Sequence, residues 1–353
     1  MAEQNPAAAS TSSPPAEQTT GILPAEHWAQ QRLEFDDADS SLGDDVVSST
    51  ASLSSSILEY RTLLGRTFHS QRAMDGQYWS PNDAKHTESM DIIHHFLLLA
   101  LDGKLYRAPL KKDIKKALDI GTGTGMWAID FADEFPDCEV IGTDISPIQP
   151  AWVPPNIRFE IEDATKSWTY PDNWFDFVHM RYLFGSIADW DELYKEAYRV
   201  CKPGGWIESF DTSAKFGSDD DSIAEGSPMD QWAKVFTEGG KKFGRTFLVV
   251  EENLQRKGIE AAGFINQEVW DYKIPASGWA KDAKLKELGM YAQLAIEQDI
   301  EGYILYMWSQ VMGWTAKEIQ VFIAHFRMQL RDTNCHAYFR VRCIHAQKPL
   351  DAA

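Results

Sequence analysis

The chain has 353 residues, 44% hydrophobic and 12% aromatic, enough for one large α/β domain with extensions or for two small domains. Its 34 basic and 53 acidic residues give a net charge of −19, which argues against a phosphate-tracking nucleic-acid surface of clustered Lys and Arg. Cys138, Cys201, Cys335 and Cys343 form no C-x-x-C, the start MAEQNPAAASTSS lacks a basic-then-apolar leader, and the longest apolar run is 96–101, so the expectation is a soluble cytoplasmic or nuclear protein that touches no membrane.

Residues 1–55 are rich in Ala, Ser, Thr, Pro and acid, and the composition predicts a disordered tail. From 56 to 110 the chain becomes aromatic (EYRTLLGRTFH, DGQYWSPND), and a helical segment is expected. Pro81 interrupts it, Asn82 or Asp83 caps a helix around 91–101, and Asp102-Gly103 ends that helix. Beyond 110 apolar runs alternate with helical ones. Strands are predicted at 117–120, 139–143, 157–161, 175–180, 206–210, 264–272 and 337–346. Helices fall at 124–135, from 190 behind Asp189-x-x-Glu192, and at 229–242, 249–261, 283–312 and 315–331. This pattern is that of a doubly wound sheet with right-handed crossovers, its methionine-rich and aromatic insertion at 273–334.

The most specific stretch is KALDIGTGTGMW, residues 116–127. Gly121, Gly123 and Gly125 follow a strand at every second position, and Asp119 stands two residues ahead of Gly121. A dinucleotide fingerprint needs its third glycine where Met126 stands, and no Lys-Ser/Thr pair marks a triphosphate loop. Glycines admit close backbone approach and the acid can meet an ammonium group, which suits a cofactor with an amino acid and a nucleoside but no phosphates. Asp144 ends the second strand, placed for the ribose hydroxyls. Asp163 ends the third, placed for the adenine amino group, with Ala164 offering a backbone contact.

ALDIGTGTGMWAIDFADEFP, VIGTDISPIQPAWVPPNIRFEIEDA and FDFVHMRYLFGSIADW resemble the class I S-adenosylmethionine-dependent methyltransferases. With YWSPND, HHFLLLALDGKL, GWAKDAKLKELG and HAYFRVRCIHAQKP the chain looks more closely like the LaeA-type fungal branch, relatives of the velvet-complex methyltransferase, over residues 57–348. The resemblance implies a Rossmann-like α/β fold with a seven-stranded sheet and an antiparallel last strand, completed by a helical N-terminal segment and a helical insertion before that strand. The methyltransferase domain is then 111–353. S-adenosylmethionine is the implied cofactor, bound by Asp119, Gly121, Thr122, Gly123, Gly125, Asp144, Ile145, Asp163 and Ala164. The branch holds both pathway enzymes and regulators of secondary metabolism, so a small-molecule acceptor, velvet-type protein partners and a homodimer are all expectations. Tyr60, Arg61, Tyr78 and Trp79 are lid candidates or simple packing residues.

Methyl transfer needs alignment, and a base only where the acceptor carries a proton. His179 is read as that base or as a core histidine. Arg181 is read as holding a carboxylate or pairing with Glu208. The aromatics of 273–334 either wall an apolar acceptor pocket or pack the insertion. No histidine spacing points to a metal, and the Asp219-Asp220-Asp221 run reads as a solvated face.

Overall fold

A computed structural model describes residues 21–30, 59–70 and 78–352. In chain order the elements are α1 (Ala25–Gln30), β1 (Arg61–Leu63), β2 (Arg66–Phe68), α2 (Ala84–Ala100), β3 (Lys116–Ile120), α3 (Met126–Glu134), β4 (Glu139–Asp144), β5 (Ile157–Ile161), β6 (Phe175–Arg181), α4 (Trp190–Val200) and β7 (Cys201–Gly217). They continue with α5 (Pro228–Phe243), α6 (Leu254–Ala262), β8 (Ile265–Pro275), α7 (Ala283–Gln298), α8 (Ile300–Tyr306), a π-helical turn at Met307–Val311, α9 (Ala316–Arg331) and β9 (Tyr338–Gln347).

Seven strands form one sheet in the order β5-β4-β3-β6-β7-β9-β8. All neighbours from β5 to β7 are parallel, and β9 runs antiparallel between β7 and β8. The order reverses at β3, so the carboxyl ends of β3, β4 and β6 open onto a switch-point crevice. Continuous burial along β3 and β6 reflects helices on both faces, as a parallel sheet requires.

Three expectations need correction. Within 1–55, residues 21–30 form a docked segment: Trp28 is buried against Phe322 of α9, and Gln231 of α5 bonds Leu23 N and Gly21 O. Burial of Ala25 and Trp28 together with the two Gln231 bonds ties this stretch to α5 and α9; the rest of that expectation lies outside the described residues. The 56–110 segment is not wholly helical, because β1 and β2 pair as an antiparallel hairpin. Leu64 (φ +51°) and Gly65 (φ +83°) make its two-residue turn, with the left-handed backbone at both positions that such hairpins need. The helix expected at 283–312 is broken at Asp299, whose side chain leaves its own helix to cap the next by accepting from Gly302 N at 3.0 Å.

The other differences are of extent. β7 runs through Pro203-Gly204-Gly205 and on to Gly217, pairing with β9 on both sides of a register shift at Thr212/Phe216. Helix α6 starts at Leu254 rather than 249. Asp189 caps α4 by accepting from Glu192 N at 3.0 Å. The insertion helices α7–α9 fold back over the crevice and pack with α5 around Trp232, Phe236, Trp308, Phe322 and Phe326.

Candidate active site

The glycine loop between β3 and α3 is held from several directions. Thr122 N donates to Thr143 O (2.9 Å), and Gly123 N donates to Asp144 Oδ2 (2.8 Å). Gln149 Nε2 reaches back to Gly123 O (2.7 Å), a brace that no spacing in the sequence announces. Gly123 has φ +58°, and a Cβ there would overlap Met90 Cε of α2. The backbone hand therefore favours glycine, while Met90 Cε, the end of a flexible side chain, can shift aside.

Of the acids predicted at the strand ends, Asp119 and Asp144 bond this loop, and Asp163 bonds within its own turn. Asp119 is buried at the end of β3, and its two oxygens take Thr122 Oγ1 (2.6 Å) and His179 Nδ1 (2.7 Å). Asp144 accepts from Gly123 N through one oxygen and from Ser146 N (3.0 Å) through the other. Burial pushes its carboxyl up to about 6, against the lowering effect of those N–H groups. Asp163 begins an Asx turn, Oδ1 accepting from Thr165 N (2.9 Å) and Thr165 Oγ1 (2.7 Å). Its Oδ2 is buried and has no hydrogen-bond partner among the described residues.

His179 is fully buried and stacks on Trp127 with ring centroids 3.5 Å apart and planes within 5°. Burial lowers its pKa, while the bond to the Asp119 carboxylate opposes that effect. Since the carboxylate can only accept, His179 donates from Nδ1. Arg181 does not pair with Glu208. Glu208 accepts from Arg107 N (2.8 Å) and Ala108 N (2.7 Å), whereas Arg181 Nη2 donates to His94 Nδ1 (3.1 Å), and His94 in turn donates through Nε2 to Asp130 (2.9 Å). Burial lowers the Arg181 pKa, and no carboxylate makes an ion pair with it among the described residues.

A cavity of about 190 Å³ opens beside the loop. Asp119, Gly121, Thr122, His179 and Arg181 line one end, and Ile93, Trp232, Phe236, Ala292 and Ile296 line the other. Of the lid candidates, Tyr78 and Trp79 reach the cavity while Tyr60 and Arg61 do not; Arg61 instead bonds His69 O (3.2 Å). The insertion divides likewise. Ala292, Ala295, Ile296 and Tyr303 face the cavity, while Met307, Trp308 and Trp314 pack the core. Asp219 and Asp220 make exposed pairs with Lys273 and His336, away from the cavity. Among the described residues no three His, Cys, Asp or Glu side chains converge as a metal site, and no helix is long and apolar enough to cross a membrane.

These residues fit a cofactor with an amino acid at one end and a nucleoside at the other. The loop is tight enough to exclude side chains, a carboxylate ends each of three neighbouring elements, and the buried Asp163 Oδ2 awaits a donor. The fold is that of a class I methyltransferase, and the methyltransferase domain family matches residues 91–264. Methyltransferase pytC of Aspergillus terreus is 36% identical over 321 residues, covering 90% of this chain and 96% of that protein. Secondary metabolism regulator LAE1 of Cochliobolus heterostrophus is 31% identical over 291 residues, covering 81% and 94%. Secondary metabolism regulator laeA of Aspergillus fumigatus is 31% identical over 291 residues, covering 81% and 76%. The chain belongs to this family of S-adenosylmethionine-dependent methyltransferases, which spans fungal methyltransferases and LaeA-type regulators.

Proposed function

We propose that the chain transfers a methyl group from S-adenosylmethionine to a small, largely apolar acceptor held in the cavity beside the glycine loop. The observation that carries this reading is the continuity of one chamber from Gly121 and Thr122 to the apolar wall of α5 and α7. The bound cofactor supplies an electrophilic methyl on a sulfonium, and the chain's task is alignment and exclusion of water.

In this reading Asp119, Gly121, Thr122, Gly123 and Gly125 receive the amino-acid end. His179 acts as a positioning residue, fixing the Asp119 carboxylate through its 2.7 Å bond. Asp144 and Ile145 receive the ribose, and Asp163 with Ala164 receives the adenine. The Arg181 guanidinium, lining the cavity without a carboxylate of its own, takes an anionic group. Labelled S-adenosylmethionine is added with the protein to an extract of its source, and the labelled product is identified by mass. A labelled metabolite of low mass is the expected result, and label found only in protein refutes the small-molecule acceptor.

The similarity to secondary metabolism regulators supports a second reading, a nuclear or cytoplasmic regulator that works with velvet-type partners. Capture of such proteins by the intact chain, with no small molecule labelled, favours it.

A further inference from the structure

Ser80, His86 and Asp299 form a hydrogen-bonded row that the cofactor site does not use. Ser80 Oγ lies 2.6 Å from His86 Nε2, and His86 Nδ1 lies 2.8 Å from Asp299 Oδ2. Relative exposures are 3%, 6% and 0%, yet Ser80 and His86 both line the cavity that Gly121 and Thr122 line. The three residues come from the loop before α2, the first turn of α2, and the break between α7 and α8.

The protons in this row are fixed by chemistry. Asp299 is held ionised below the usual carboxylate range, chiefly by its bonds to His86 and Arg66 acting against burial. A carboxylate only accepts, so His86 donates from Nδ1 and leaves Nε2 as an acceptor for the Ser80 hydroxyl. The lone pairs of Ser80 Oγ are then free for a donor in the cavity. Arg66 bonds both Asp83 (2.7 Å) and Asp299 (2.7 Å), so two carboxyls face one guanidinium, and a proton reaching His86 meets compensating charge. A purely structural tie would be complete with Arg66, since the guanidinium alone joins β2, the cap of α2 and the α7–α8 break. The extra histidine and serine continue the chain of bonds to the cavity wall.

We propose that Ser80 is the group that takes the acceptor's proton, relaying it to His86, with Asp299 as the positioning carboxylate. As the acceptor oxygen or nitrogen bonds to the methyl carbon, its proton passes to Ser80 Oγ and the Ser80 proton passes to His86 Nε2. The methyl–sulfur bond breaks with its electron pair going to sulfur, and the positive charge ends on imidazolium beside Asp299. The acceptor class is thereby an alcohol, phenol or protonated-nitrogen compound. This rests on the reading of the cavity as an acceptor site.

A hydroxyl polarised in this way is also a better nucleophile. The test exposes cofactor-free protein to methanesulfonyl fluoride, which forms an Oγ–S bond at an activated serine, releasing fluoride and giving the proton to His86. Peptide mass mapping locates the adduct. Expected is modification at Ser80 in the wild type and at least about 100-fold slower modification in His86→Gln, the lower end of what a positioned base contributes. Ser80→Ala, with unchanged melting, should bind S-adenosylhomocysteine within about twofold of wild type yet form about 100-fold less labelled product in the source extract. An unmodified Ser80 in the wild type, equal modification in His86→Gln, or wild-type product from Ser80→Ala overturns the relay. Wild-type protein that is modified at Ser80 but labels no small molecule refutes the acceptor reading and supports the activated hydroxyl.

Discussion

Replacing Asp144 by alanine tests whether one carboxylate both braces the glycine loop and binds the cofactor. The side chain accepts from Gly123 N at 2.8 Å and from Ser146 N at 3.0 Å, so its loss leaves two loop donors without their partner and removes the acceptor for the ribose hydroxyls. A lost charge-assisted hydrogen bond costs about 1.5–3 kcal/mol, or about 10- to 100-fold in affinity. Calorimetric titration with S-adenosylhomocysteine reads this directly. The wild type should also bind more weakly in acid. Burial holds the Asp144 carboxyl at about 6, and its protonated form has one lone-pair face fewer for the ribose. Affinity should fall as pH drops through that value and level off near the Asp144→Ala affinity, a dependence that Asp144→Ala removes. An Asp144→Ala protein with a dissociation constant within about twofold of wild type, or with the same acid limb, would refute the assignment.

Glu208→Gln should stabilise the fold at alkaline pH. Burial pushes Glu208 up to about 7, so its contribution is full below the unfolded value of 4.5 and is lost as pH rises through about 7. Removing the buried charge should gain about 3 kcal/mol in urea unfolding at pH 8.5 and under about 1 kcal/mol at pH 5. Gly123→Ala should cost about 1–2 kcal/mol through the left-handed backbone alone, and it should weaken calorimetric cofactor binding by straining the loop that Asp144 braces. Trp28→Ala should cost about 3–5 kcal/mol, the usual loss for a large buried ring, measured by denaturant unfolding of the full chain.

Local rules made the Rossmann-like half legible. Five apolar runs ended in Asp, Gly or Arg at the spacing of βαβ units, and β5 at Ile157–Ile161 was placed to the residue. The strand-end acids followed, because a parallel strand projects its last residue into the crevice. Non-local structure stayed hidden. Asp299 meets His86 across 213 positions and Arg66 across 233, and no periodicity encodes such meetings. The hairpin at 61–68 was missed because its turn is Leu64-Gly65 rather than Asn-Gly, with a branched residue carrying the left-handed backbone. Strict alternation put Met180 and Tyr182 on one face. Met180 does join the core behind the sheet, but Tyr182 has φ +58° and swings into the cavity, a turn held where Leu183 N donates to Asp211 Oδ2 (3.1 Å).

The two halves of the chamber are built on different physical terms, and this bears on how acceptor choice is set. The cofactor end rests on the carboxyl ends of strands fixed by backbone bonds among β3, β4 and β6, and Asp119 and Asp144 bond the glycine loop directly. The acceptor end is assembled from α2, α5, α7 and α8, which meet only in the folded chain. Arg66 makes that assembly one unit, bonding the cap of α2 and the α7–α8 break from the hairpin with four N–H donors at 2.7–2.9 Å. Breaking such a buried pair by removing one partner costs about 3–5 kcal/mol, more than losing an ordinary wall contact. Substitutions at Ile93, Ala292 or Ile296 can therefore reshape the chamber while this clamp holds its frame, whereas loss of Arg66 should loosen every acceptor wall together and leave the glycine loop in place.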